Sequence, residues 1–359
     1  MNKELMNGTS AIGESAIQAG CRYYFGYPIT PQNELPEYMS RRLPKVDGVF
    51  LQAESELSAI NMVLGASAAG ARVMTSSSSP GISLKQEAIS YMAAQELPAV
   101  IVNIVRGGPG LGHIAFSQAD YFQSTRGGGH GDYRTIVLAP CTVQEMADMT
   151  FLSFDLADKY RTPVIILGDG MLGQMMEPVV IPTAKNKSPP ERDYAVTGAK
   201  GREQRVIKSF FVDGKDLEEH NWKLFRKYKK IEQNEVRYET YLLDDAEMAV
   251  VAYGTAARIA KGAINRLRKE DENIRIGMIM PKTLWPFPSK VIKETSRYIS
   301  DFFVFELCTG QMIDDVRLSL EGSGHIHFYG RPGSVVPSPS ELARIMARHY
   351  YQSQRKKKK

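Results

Sequence analysis

Four short segments in the first third of the chain gather residue types able to hold an anion or move a proton. In Gly26-Tyr27-Pro28-Ile29-Thr30-Pro31, Pro28 and Pro31 stiffen the backbone and hold the Thr30 hydroxyl on a rigid loop. The same residues suit a helix start with Thr30 as N-cap and Pro31 at the first helical position, and the two readings are compatible. Gln52-Ala53-Glu54-Ser55-Glu56 opens a helix poor in bulky side chains. Either glutamate there serves the helix dipole. Glu56, beside an Ala- and Gly-rich surface that neighbours approach closely, is also placed to be desolvated and tuned for proton traffic.

The third segment, Thr75-Ser76-Ser77-Ser78-Ser79-Pro80-Gly81, is a polar strand-to-helix loop whose hydroxyls and N–H groups suit an anion or a polar ring; an ordinary Ser-rich turn explains it equally well. The fourth, Arg106-Gly107-Gly108-Pro109-Gly110-Leu111-Gly112, sets an arginine at the end of an apolar strand, poised for a two-pronged grip on a carboxylate. Its Gly110-x-Gly112-x-x-Ala115 spacing mimics a dinucleotide fingerprint. The second strand and acidic residue expected about 20 residues on are replaced by Arg126-Gly127-Gly128-Gly129-His130-Gly131-Asp132, so that reading is rejected.

These segments need a frame that aligns strand ends. Residues 1–184 alternate short apolar runs with small-residue helical stretches, the rhythm of an α/β domain with a parallel sheet. Val49-Leu51, Arg72-Thr75, Ala99-Val105, Thr135-Ala139 and Pro163-Leu167 read as buried strands. Glu54-Ala69, Leu84-Gln95 and Val143-Tyr160 read as helices, the last the most clearly amphipathic. Residues 185–246 read as a charged connector; Phe210, Phe211, Trp222, Leu224 and Phe225 require it to pack on something. A second α/β unit follows at 247–359, with strands at Ala249-Tyr253, Ile274-Met280 and Phe302-Glu306 and helices at Ala256-Leu267, Asp314-Leu320 and Glu341-Tyr351.

Composition excludes several functions. With 359 residues, 43% hydrophobic and 24% charged, the chain is long enough for two or three buried cores. The net charge of +5 is matched by Arg355 to Lys359 alone, so the body is neutral and gives a nucleic-acid enzyme little footing. Cys21, Cys141 and Cys308 form no CxxC pair, which removes a structural zinc site and an iron-sulfur cluster carried by this chain; so few thiols fit a reducing cytoplasm. The six histidines show no metal-ligand spacing, and no apolar run approaches the roughly 18 residues of a membrane span. GxSxG and GxxxxGK[ST] motifs are absent.

Taken in order, the four segments together with Gly127-Gly128-Gly129-His130-Gly131-Asp132, Glu306-Leu307-Cys308-Thr309-Gly310-Gln311-Met312 and Gly330-Arg331-Pro332-Gly333 closely resemble the 2-oxoacid:ferredoxin oxidoreductases. The resemblance covers nearly the whole chain. It implies a thiamin diphosphate-binding, pyrimidine-type domain followed by a transketolase C-terminal-like domain. Within the family it points to the branched-chain type, which oxidises 2-oxoisovalerate with coenzyme A to acyl-CoA and carbon dioxide and passes electrons to ferredoxin. Pyruvate or 2-oxoglutarate as substrate, a non-catalytic scaffold subunit and a self-contained thiamin decarboxylase are the alternatives.

Carried over by resemblance, Glu56 matches the glutamate that hydrogen-bonds the aminopyrimidine of thiamin diphosphate. Thr30 and Arg106 match positions that approach the carbonyl and carboxylate of the substrate. Pro28, Ser78 and Ser79 match cofactor-pocket positions. Gly168-Asp169-Gly170 is similar to the start of a magnesium-diphosphate motif, but no paired asparagines follow and Asn186 stands alone, so it reads as a strand-end turn. The resemblance therefore implies that partner subunits carry the magnesium-diphosphate half-site and the iron-sulfur clusters. His113-Ile114-Ala115-Phe116 stands where many relatives carry Pro-Thr-Lys, which bears on substrate choice.

Overall fold

In the computed structural model, which describes residues 3–183 and 192–357, the first unit begins with β1 (Glu4–Asn7), α1 (Gly8–Gln18), β2 (Tyr23–Gly26), α2 (Glu34–Arg42), β3 (Val49–Gln52) and α3 (Glu56–Ala68). It continues with β4 (Val73–Ser77), α4 (Pro80–Ala94), β5 (Ala99–Gly107), β6 (His113–Phe116), α5 (Tyr121–Arg126), β7 (Ile136–Leu138), α6 (Val143–Tyr160), β8 (Pro163–Asp169), α7 (Gly170–Gln174) and β9 (Met176–Val179). The 184/185 boundary and Asn186 lie outside the described residues.

The main sheet runs β13-β7-β8-β5-β4-β2-β3, β13 (Thr283–Trp285) being a strand of the second unit, and β2, β3, β4, β5, β7 and β8 are parallel. Its centre is β5, whose sequence AVIVNIVRG is buried throughout, as a strand covered by helices on both faces must be. Val49–Gln52 departs from expectation. It pairs only with β2 and lies at the sheet edge, leaving Val49 and Leu51 exposed rather than buried. Helix α6 runs as its periodicity predicts: the Thr142 hydroxyl accepts from Glu145 N–H at its start, and Arg161 adopts a left-handed conformation at its end.

The charged stretch holds a long amphipathic helix, α8 (Gly214–Asn234), whose Leu224, Tyr228 and Ile231 are buried, Tyr228 edge-on to Trp285. The next strand, β10 (Tyr238–Tyr241), already belongs to the second sheet. That unit continues with β11 (Met248–Val251), α9 (Gly254–Glu270), β12 (Ile276–Pro281), β13 (Thr283–Trp285), α10 (Ser289–Thr295), β14 (Asp301–Glu306), α11 (Met312–Leu320), β15 (His325–Gly330) and α12 (Pro339–Lys357). Its sheet order is β10-β12-β11-β14-β15, parallel except for β10. Phe302, Phe303 and Phe305 on β14 are fully buried, and burial of each such side chain is worth roughly 2–3 kcal/mol. Helix α12 carries the basic end of the chain, and residues 358 and 359 lie outside the described residues.

Candidate active site

Topology brings the four segments together. They follow β2, β3, β4 and β5, four strands that stand side by side in the order β5-β4-β2-β3. All four are parallel, so every segment emerges at the same carboxyl edge, where open α/β sheets bind ligands.

Glu56 is the first residue of α3, and the Ser55 hydroxyl caps the helix by accepting from Ser58 N–H at 3.2 Å. Helix α3 crosses α4 closely because Gly81 has no side chain: a Cβ there would lie 2.6 Å from Glu56 Oε1. The Glu56 side chain is buried, 7% exposed, yet it takes no hydrogen bond or ion pair from any described residue. A buried carboxylate left without partners is costly unless a ligand completes it.

The serine loop lies against Gly81. Ser77 and Ser78 are fully buried and their hydroxyls have no partner among the described residues. Ser79 holds a strained backbone, φ 25° and ψ −82°, kept in place by two neighbours. Its N–H donates to Asn103 Oδ1 at 3.1 Å, and its hydroxyl accepts from Arg106 N–H at 3.0 Å. Ser76 is tied to the first loop as well: its hydroxyl bonds Tyr24 and donates to Gln32.

Arg106 is buried at the end of β5. Its Nη1 donates to the Thr30 carbonyl at 3.0 Å and its Nη2 to the Leu111 carbonyl at 2.9 Å, while Nε has no partner among the described residues. One N–H on each terminal nitrogen and the Nε–H are left for an anion. The arginine thus joins the first and fourth segments. Thr30 is not an N-cap and Pro31 does not open a helix: α2 starts at Glu34 with Asn33 before it, and Asn33 Nδ2 donates to the Thr30 hydroxyl at 3.5 Å. Pro28 is exposed on the same loop. Residues 107–112 turn back into β6, antiparallel to β5, which bears out the rejection of a dinucleotide loop.

Three participants were missed by sequence reasoning. Asn103 is a lone polar residue in an apolar strand, which was the available signal; its Nδ2 donates to Asp120 Oδ2 at 2.9 Å. Burial raises the Asp120 carboxyl, opposed by Ser79, Asn103 and the Arg106 charge. Lys85, one turn after Gly81, is fully buried. The glycine run 127–131 lies farther along α4, where Gly128 N–H donates to Gln86 Oε1 at 3.0 Å.

Asp169 in Gly168-Asp169-Gly170 ends β8 and caps α7, its Oδ1 accepting from Leu172 N–H at 3.0 Å, so it is the strand-end turn expected. Burial raises its carboxyl, against hydrogen bonds from Thr255 and the α7 backbone. Among the described residues no group of three or more His, Cys, Asp or Glu side chains converges on a metal position, and no helix is long and apolar enough to cross a membrane.

Comparison with known proteins decides the family. The signature "Pyruvate flavodoxin/ferredoxin oxidoreductase, thiamine diP-bdg" matches residues 14–241, and "Pyruvate:ferredoxin oxidoreductase core domain II" matches 246–342. The chain belongs to the 2-oxoacid:ferredoxin oxidoreductase family. It is 49% identical to the ketoisovalerate oxidoreductase subunit VorB of Methanothermobacter marburgensis, covering 93% of this chain and 94% of the relative. It is 34% identical to the 2-oxoglutarate synthase subunit KorA of Methanothermobacter thermautotrophicus, over 95% of this chain and 97% of the relative.

Among solved structures of this family, the 2-oxoglutarate:ferredoxin oxidoreductase of Magnetococcus marinus, with 2-oxoglutarate, coenzyme A and succinyl-CoA bound, superposes with a TM-score of 0.82 at 26% identity. The match covers 97% of this chain and 65% of that one. A split-gene transketolase superposes with a TM-score of 0.53 at 13% identity, a likeness of fold. The first unit is thus a thiamin diphosphate-binding domain of this family. The residues present fit that group: the unpartnered Glu56 carboxylate, the orphaned Ser77 and Ser78 hydroxyls and the free Arg106 Nε lie along one strand edge and lack partners that a polar heterocycle with its substrate would provide.

Proposed function

We propose that this chain is the pyrimidine-domain subunit of a 2-oxoisovalerate:ferredoxin oxidoreductase, oxidising branched-chain 2-oxoacids with coenzyme A to acyl-CoA and carbon dioxide in the cytoplasm. The observation that carries the proposal is the buried Glu56 carboxylate, which no described residue hydrogen-bonds, at the same sheet edge as Arg106. The 49% identity to a ketoisovalerate oxidoreductase subunit supports the substrate class.

Thiamin diphosphate, when bound, supplies the nucleophile that adds to the oxo carbon and the electron sink for loss of carbon dioxide. Glu56 would hold a proton in common with a ring nitrogen of the pyrimidine. The N–H groups of Arg106 not engaged by Thr30 and Leu111 would grip the carboxylate of the 2-oxoacid, and the Thr30 hydroxyl would face its oxo group. Pro28 shapes the loop, while Ser78 and Ser79 line the pocket. Because Arg106 is fixed by two backbone carbonyls, substrate binding would find its charge already oriented.

The diphosphate-magnesium half-site and the iron-sulfur relay to ferredoxin would reside on partner subunits. Three buried free cysteines, far apart in sequence, supply no cluster. Leu57 and Leu84, on the helices that flank Glu56, and Leu111 and Ile114, beyond Arg106, are exposed apolar residues suited to a partner's cover. The test is reduction of a low-potential dye by the chain with its co-purified partners, given thiamin diphosphate, magnesium and coenzyme A, comparing 2-oxoisovalerate, pyruvate and 2-oxoglutarate. Preference for 2-oxoisovalerate, lost on Glu56→Gln, supports the proposal. No turnover with any of the three would replace it with a scaffold role.

A further inference from the structure

Lys85 is a fully buried lysine that makes no hydrogen-bonded ion pair. Its ammonium donates to two oxygens, the Glu56 backbone carbonyl at 3.3 Å and the Thr75 hydroxyl at 3.2 Å. Removing an ammonium from water is expensive, and a lysine whose only task is packing is easily replaced by methionine. This one stands on α4 one turn beyond Gly81, the residue whose missing Cβ admits the Glu56 carboxylate. The backbone and the charge of Glu56 therefore face the same helix, four residues apart along it.

We infer that Lys85 is a positioning residue for Glu56: its ammonium anchors the first turn of α3 through the Glu56 carbonyl and sets a positive charge next to the turn that presents the Glu56 carboxyl. The inference rests on the reading of Glu56 as the proton-holding group of the site. Burial lowers the Lys85 ammonium to about 8, opposed by the charge of Glu56. At neutral pH the lysine is consequently still a cation. A nearby cation favours the anionic form of a carboxyl, and its removal takes that bias away.

The readout is exchange of the cofactor's C2 proton for deuterium, followed by proton NMR after acid quench, across pH in the assembled complex loaded with thiamin diphosphate but given no 2-oxoacid. Lys85→Met is expected to slow exchange at least tenfold near pH 7 and to move the acid limb of the profile upward by about one pH unit, so that raising pH restores part of the rate. A purely structural role would lower the whole profile without moving its limbs, and that result overturns the inference. Glu56→Gln in the same assay separates the two readings. If it leaves exchange intact, the assignment of Glu56 fails; if it abolishes exchange while Lys85→Met leaves the limb in place, only the role of Lys85 fails.

Should Lys85→Met not fold, the test moves to the full chain with native Lys85 and carbon-13 label at lysine Cε. The Lys85 titration is then compared between the unaltered chain and Glu56→Gln. A fall in its midpoint on neutralising Glu56 supports the coupling, and an unchanged midpoint overturns it.

Discussion

Two glutamates occupy comparable places in the two α/β units, each beyond or at the end of a parallel strand, Glu56 opening a helix and Glu306 reaching the N-terminus of one. Glu306 ends β14 and is fully buried. Its carboxylate accepts from the N–H groups of Gln311 at 3.0 Å, Met312 at 2.9 Å and Ile313 at 3.0 Å, and from the Cys308 thiol at 3.2 Å. The open N-terminus of α11 is thereby saturated by the chain itself. Glu56 is almost as deeply buried, yet no described residue bonds its side chain, and the nearest helix carries a glycine where a contact would otherwise form. Burial alone does not mark a working carboxylate. What separates the two is that the protein supplies hydrogen bonds to Glu306 and, among the described residues, none to the Glu56 side chain, as the proposed role of Glu56 requires.

That contrast can be broken by substitution. The largest effect is expected for Glu56→Gln, which should lower 2-oxoacid turnover by about 10³-fold, while its effect on unfolding free energy should stay well below that of Glu306→Gln, because no hydrogen bond of the side chain is lost. Glu306→Gln should do the reverse. Replacing one acceptor oxygen by an NH2 group that faces backbone N–H donors, and removing the charge they share, should destabilise the chain by roughly 2–3 kcal/mol in urea titrations. Arg106→Met should reduce kcat/KM for the 2-oxoacid about thirtyfold, near 2 kcal/mol, with a smaller change for a neutral carbonyl compound.

The lysine beneath Glu56 adds a pH test. With its pKa lowered to about 8 from 10.5, the unfolded chain binds more protons between those values, so this group's contribution to stability rises with pH through that window. Unfolding free energy of the native chain relative to Lys85→Met should therefore increase by about 1 kcal/mol from pH 8 to pH 9 in urea titrations. The smallest effect is expected for Gly81→Ala. The new methyl would meet Ser77 Oγ and, at 2.6 Å, Glu56 Oε1, and as both side chains can turn aside it should cost about 1 kcal/mol of stability and a few-fold in turnover, which parallel urea and rate measurements would resolve.

The site was legible where residue type and position agree. Glycine, proline, serine and arginine at strand ends announce themselves, and the four segments proved to be neighbours because their strands are adjacent and parallel. Tyr23–Gly26 went unread as a strand because Tyr-Tyr-Phe-Gly offers no alternation and is only four residues long. The 21-residue helix α8 was hidden by its charge: only three of its residues are buried, although their spacing, Leu224, Tyr228 and Ile231, is helical. Lys85 could not be read at all. In sequence it is one more lysine on a helix, and only the crossing of α3 over α4 takes it out of water.

Strand β13 gives the molecule a mechanical property. Thr283 and Trp285 leave the second unit and pair with Leu138 and Val137, so that the rim of the first sheet is closed by residues from beyond the long helix. Shearing the halves apart means unzipping a ladder, not bending a linker, and a chain severed near residue 246 would lay bare the flank of β7 as a template for aggregation. The two halves are therefore joined by strand pairing as well as by the chain that links them.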